Sequence, residues 1–111
     1  MKRGDVVYAN LDPSLGSETQ KTRPVLIVSN DAANRAAALV TVLPLTSNVS
    51  KVFPFEVKLL ASDTGLPKDS KAMAQQVRSL DKRRLAKTVS GHVPAALMTA
   101  VDAALRLHLG L

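Results

Sequence analysis

PVLIVSN (24–30) sets four apolar residues, Val25 to Val28, in an unbroken row behind a proline. A strand with one wet face shows a polar residue at every second position, whereas a continuous apolar run is what a strand buried on both faces requires. Upstream, GDVVYANL (4–11) is a second short β-rich segment, ended by Asp12-Pro13, and the two segments make the first strand pair. Downstream, Asn30 and Asp31 cap a brief helical turn through DAANRAAA (31–38), and LVTVLPLTS (39–47) reads as another buried strand broken at Pro44. FPFEVKL (53–59) alternates, with Phe55, Val57 and Leu59 on one face and Glu56 and Lys58 on a face turned to water.

The second half of the chain carries weaker β signals and one strong helical one. ASDTGLPKDS (61–70) gathers Ser, Asp, Gly and Pro and predicts a surface loop, followed by a strand over KAMAQQVRSL (71–80). In DKRRLAK (81–87), Asp81 caps a short turn that projects positive charge. Pro94 stands where a first helical residue would, and the following residues place Leu97, Val101, Ala104, Leu105 and His108 on one stripe. Five or six short strands with one C-terminal amphipathic helix predict an α+β, mostly β fold. It is a small, strongly curved sheet with the helix packed across it, and residues 1–111 form one domain.

Composition narrows the chemistry. Apolar residues make up 46% of the 111 positions but aromatic ones only 3%, so the core is aliphatic and a platform of rings for stacking several bases is disfavoured. Fifteen Lys and Arg against nine Asp and Glu give a net charge of +6, which favours nucleic acid or an acidic peptide as partner. No cysteine is present, which excludes disulfides and thiolate chemistry and leaves a metal site only two histidines and scattered carboxylates; no metal or other cofactor is expected. No leader-like stretch and no long apolar run occurs, so the expectation is a soluble cytoplasmic protein without a membrane segment.

What remains for catalysis is acid–base chemistry and charge stabilisation. His108 sits at the end of the helix, where a histidine interacts favourably with the dipole, and His92 lies in the approach to the helix, where a local turn contact accounts for it. Arg23 is the better candidate. Pro24 fixes one torsion and biases Arg23 towards extended backbone, so a permanently ionised, planar donor fork leaves a rigid strand start. Such a group suits a phosphate that gains charge as a hydroxyl attacks it, although a salt bridge to Glu18 is the plainer alternative. Thr46 and Ser47, in PLTSN (44–48), bring hydroxyls to a strand end, where they either face Arg23 or satisfy local backbone groups.

KRGDVVYANLDPSLGSETQKTRPVLIVSND, continued by PLTSN, FPFEV, AQQVRSLDKRRL and VDAALRLHLGL, resembles the MazF/PemK (Kid) family of toxins from bacterial toxin–antitoxin operons over essentially the whole chain. The resemblance implies a homodimer of small SH3-like barrels (CcdB/PemK-like), each with a C-terminal helix. It also implies metal-independent cleavage of single-stranded RNA, often messenger RNA, at short sequences. Neutralisation would come from an antitoxin whose acidic C-terminal segment crosses the RNA groove. By the same resemblance Arg23 and Thr46 carry catalysis, while Ser17, Glu18, Ser47 and Gln76 belong to the RNA-contacting surface. The acidic residue and arginine used in the PemK branch are here Gln75 and Met73, so that acid–base pair does not carry over. Relatives also tend to have glycines where this chain has Gln20 and Lys21, making its loop stiffer and more basic. Lys21, Lys51, Lys71, Arg78 and residues 82–84 are the expected basic surface. A CcdB-like toxin that poisons gyrase without cutting RNA, and an inactive RNA-binding relative, are the alternatives.

Overall fold

A computed structural model describes residues 1–12, 16 and 21–111. Its centre is a three-stranded antiparallel unit of β1 (Asp5–Asn10), β2 (Thr22–Ile27) and β3 (Leu39–Thr46). Around it lie β4 (Glu56–Leu59), β5 (Ser70–Met73), β6 (Arg78–Asp81) and β7 (Leu85–His92). The spatial order is β4-β5-β3-β2-β1-β7, with β6 also paired to β3. Helices α1 (Asp31–Ala36), α2 (Ala61–Thr64) and α3 (Ala95–Leu109) complete the described chain.

The apolar run in β2 is buried on both faces, and pairing register extends the division across the sheet. Leu26 stands opposite both Val6 and Leu43, and these three belong to a core closed by Met98, Val101 and Ala104 of α3. Val25 and Ile27 point the other way, into a second core with Val7, Val42, Leu80 and Leu85. One face of the curled sheet thus packs on the helix and the other packs on itself. β6 and β7 follow one another through a single 3₁₀ turn, Lys82–Arg84, yet pair with β3 and β1, on opposite sides of the central unit. No ladder joins them among the described residues, so the small SH3-like α+β fold has its curved sheet open between these two strands.

Several local expectations change. β3 runs unbroken through Pro44, because its outer edge changes partner there: β6 pairs with Leu39–Val42 and β5 with Leu45–Thr46. A residue without an N–H is tolerated at such a gap. The segment 71–80 is two strands, not one, separated by a 3₁₀ turn at Ala74–Gln76 that moves the chain from one stretch of that edge to the other. Residues 61–64 form a helical turn ended by Gly65 at φ 80°, where the sequence predicts loop. Glu56 is buried, contrary to the solvent-facing expectation. β7 accounts for the seventh strand; Ala86–Ser90 are all exposed, Val89 among them, and give no burial pattern. Pro94 is the N-cap of α3 and not its first helical residue, and His108 is exposed, beyond the buried stripe. Asn30 and Asp81 cap their turns as expected, accepting from the N–H groups of Ala33 and Arg83.

Gly91 marks the tightest approach in this arrangement. A Cβ there would lie 2.7 Å from the backbone oxygen of Thr64 and 3.2 Å from Leu66 Cδ2. Gly91→Ala is therefore expected to lower the chemical-denaturation midpoint by an amount equivalent to about 1–3 kcal/mol, and a wild-type midpoint would show that α2 yields freely.

Candidate active site

Arg23 is the second residue of β2 and pairs with Ala9 of β1, so its backbone is fixed before the polar connection from β1 begins. Its side chain is half-buried on the wall of a cavity of about 320 Å³. Tyr8, Pro24, Leu45 and Leu66 supply apolar lining; Lys21, Thr22, Ser47, Lys68, Asp69 and Ser70 supply the polar part. Tyr8 reaches the cavity because it stands opposite Pro24 in the β1–β2 ladder. Ser70 is buried at 4% exposure and its hydroxyl has no hydrogen-bond partner among the described residues.

Thr46 ends β3, half-buried, and is not itself part of the lining. The last paired residues of the β2–β3 ladder are Val25 and Pro44; continuing that register by two residues brings Arg23 opposite Thr46. Thr46 Oγ1 accepts from the Asn48 N–H at 3.2 Å, the local turn contact, which leaves its own O–H able to donate. Ser47 is exposed and lines the cavity. Gln76 lies in the 3₁₀ turn after β5, its amide 3.7 Å from Met73 Sδ, and is not among the lining residues. Ser17 and Glu18 lie outside the described residues.

On its other edge Thr46 faces Lys71, the residue that links this strand end to a buried ion pair. Lys71 Nζ donates to Glu56 Oε1 at 2.9 Å and to the carbonyl of Lys51 at 2.7 Å, and lies 5.7 Å from the centre of the Phe53 ring. Glu56 also accepts from the Phe53 N–H at 3.0 Å and from Gln75 Nε2 at 2.7 Å. Burial pushes the Glu56 carboxyl up, but the bonds from Lys71, Phe53 and Gln75 more than offset it and hold the group below its ordinary value. Lys51 and Phe53, within the 47–55 segment that carries Ser47, are thereby tied to β5 and β4.

The expected basic surface is correspondingly revised. Lys71 is buried at 8% exposure and neutralised by Glu56, so it is not part of that surface. Arg84 donates to the carbonyls of Asn10 and Asp12, and Arg78 to that of Leu11 at 3.4 Å; both brace the end of β1. Arg83 binds Asp81 through two side-chain bonds, which bring the Asp81 carboxyl down to about 2. Lys21 and Lys51 remain exposed, and Lys68, which sequence reasoning missed, joins them. No sequence signal shows that residues 66–70 fold back beside Arg23, because this follows from the pairing of β5 with the end of β3. His92 ends β7 and contacts Asp5 of the neighbouring β1 through Nδ1 at 3.0 Å, away from the cavity, so its partner is a cross-strand carboxylate and not the local turn group expected. Among the described residues no cluster of His, Cys, Asp or Glu could hold a metal.

Residues 2–109 match the family model described as PemK-like, MazF-like toxin of type II toxin-antitoxin system. The chain belongs to this family. Endoribonuclease MazF9 of Mycobacterium tuberculosis is 47% identical over 116 residues, covering 100% of this chain and 98% of its own. The crystal structure of MazF from Deinococcus radiodurans superposes with a TM-score of 0.85 at 32% identity, covering 100% of this toxin and 97% of that chain. A mycobacterial endoribonuclease in complex with its cognate antitoxin gives a TM-score of 0.82, also at 32% identity, with 100% and 96% covered. The toxin shares the fold of these proteins along its full length.

Two predictions concern the ion pair under Thr46. Lys71→Met leaves a buried carboxylate without its cation and is expected to cost about 3–5 kcal/mol in denaturant unfolding; a cost below 1 kcal/mol would mean that water reaches Glu56. Because the folded Glu56 carboxyl titrates below its ordinary value of 4.5, its stabilising contribution is complete above that pH and is lost as pH falls through the lower folded value. Thermal unfolding of Glu56→Gln should therefore fall short of wild type at pH 7 and converge towards it below pH 4.5; a constant difference across that range would contradict the assignment.

Proposed function

We propose that this toxin, an endoribonuclease like the relatives it matches end to end, cuts single-stranded RNA at short recognition sequences without a metal ion. The ribose 2′-oxygen attacks the adjacent phosphorus, an O2′–P bond forms, the P–O5′ bond breaks, and the products are a 2′,3′-cyclic phosphate and a 5′-hydroxyl. The observation that carries the reading is the placement of Arg23: a guanidinium on a fixed strand start, on the wall of a cavity that Ser47, the neighbour of Thr46, also lines. Arg23 holds the scissile phosphate and offsets charge developing on its non-bridging oxygens. Thr46, still able to donate, and Ser47 orient the phosphate and the 2′-hydroxyl. A guanidinium stays protonated, so it does not serve as the base. In this reading Glu18, five residues before Arg23 in the sequence, receives the 2′ proton, and water protonates the departing 5′-oxygen. Ser17 and Gln76 complete the RNA-contacting set.

The remaining features fit a toxin whose targets are messenger RNAs in the cytoplasm and whose 111 residues act as one domain. Exposed Lys21, Lys51 and Lys68 suit RNA and equally an acidic antitoxin segment, so competition for one surface gives inhibition. Exposed Leu107, Leu109 and Leu111 at the end of α3, with Val52 and Phe53, provide apolar surface for a homodimer contact. No observation favours the gyrase-poisoning reading.

Purified protein incubated with a long single-stranded RNA in EDTA should cut it, and Arg23→Ala and Thr46→Ala should each lower the rate by about 10²–10³. Full activity in both variants would remove the site assignment. A 2′-deoxy residue at the cut site should abolish cleavage, and efficient cutting there would exclude attack by the 2′-oxygen.

A further inference from the structure

Lys21 is the only non-glycine residue with positive φ among those described, at 68°. In that conformation a Cβ crowds the following carbonyl, so glycine or asparagine is the less strained occupant. The backbone is nevertheless held there from both sides: the Lys21 N–H donates to Asp12 Oδ1 at 2.9 Å and its carbonyl accepts from the Leu11 N–H at 3.0 Å. Both clamps act on main-chain atoms, so neither needs a lysine. A long cationic side chain at a strained position points to a use for the side chain itself.

That side chain is exposed and lines the same cavity as Arg23, two residues further along the chain. Among the described residues that line this cavity, Lys21 and Lys68 are exposed cations beside Arg23, and the one carboxylate, Asp69, already accepts at Oδ1 from the Ala61 N–H at 2.8 Å. A nucleic-acid strand carries a further negative charge at every nucleotide, so a second cation beside the first matches the next phosphate along the same strand. We propose that Lys21 is a substrate-binding residue that holds the phosphodiester adjacent to the one at Arg23. It raises affinity for RNA of any sequence at the expense of local backbone strain. This rests on the reading of the cavity as the RNA site. Lys21 contacts a phosphate that does not react, so it strengthens binding in ground and transition states alike.

The test uses steady-state cleavage of a single-site RNA together with binding of its uncleavable 2′-deoxy analogue over a salt series. Lys21→Asn, which tolerates positive φ but lacks the charge, should raise KM about tenfold with kcat within about twofold. The slope of log affinity against log salt should fall by about 0.7. Lys21→Gly should do the same while raising Tm by about 4 °C, since it also relieves the strain. Lys21→Arg should retain KM and slope. Wild-type KM and salt slope in Lys21→Asn would overturn the assignment, as would a loss confined to kcat. Weakened binding of an acidic antitoxin peptide with RNA affinity unchanged would overturn it in favour of a protein-binding role. Arg23→Ala, run in parallel, separates the two levels: if it cuts normally, the cavity is not the RNA site and both readings fall. If it is inactive while Lys21→Asn keeps its KM, only the role of Lys21 falls.

Discussion

The burial of β2 on both faces is the constraint on which the rest depends. Val25 and Ile27 in one core and Leu26 in the other leave the strand no freedom to rotate or slip, since a shift of one residue would exchange the two sets. Arg23 inherits that rigidity. It lies two residues beyond the last residue paired with β3, yet it is still paired with β1. A guanidinium on such a base loses little freedom when it meets a phosphate, whereas one carried on the preceding polar connection would first have to be ordered.

A second layer of order comes from polar groups. Glu56, Lys71, Gln75 and the backbone of Lys51 and Phe53 form one buried network beneath the strand end that carries Thr46. Removing two charges from water is costly, and the network adds less to stability than its number of bonds suggests. Its structural consequence is positional: it fixes where β4, β5 and the segment leading away from Thr46 meet. Beyond the end of β1, Arg78 and Arg84 perform a comparable role by binding carbonyls of residues 10–12. Part of the positive charge in this chain, at Lys71, Arg78 and Arg84, is therefore structural, and exposed lysines such as Lys21, Lys51 and Lys68 are left for a polyanion.

Features governed by local chemistry could be read from the sequence. The apolar run 25–28, the caps at Asn30 and Asp81, and the amphipathic C-terminal helix all arise from neighbouring residues. The misreadings concern non-local pairing. Pro44 was expected to interrupt a strand and instead sits where β3 changes partners, which cannot be seen without knowing those partners. Glu56 looked solvent-facing because it is polar in an alternating segment, and Lys71 because it is a cation in a basic chain, and only their approach across β4 and β5 allows burial. Arg23 was legible because Pro24 states its geometry locally. The approach of Tyr8 and residues 66–70 to it was not, being a product of register and of the way β5 joins the end of β3.

The central claim is that Arg23 and Thr46 act together on one phosphodiester. A double-mutant cycle on the single-turnover rate, with Arg23→Ala, Thr46→Ala and the combined variant measured on the same RNA, tests it most directly. The account predicts strong non-additivity, with the double variant little slower than the worse single one, as expected of groups that work as a unit. Losses that simply multiply would show two independent contributions and would contradict a shared phosphate.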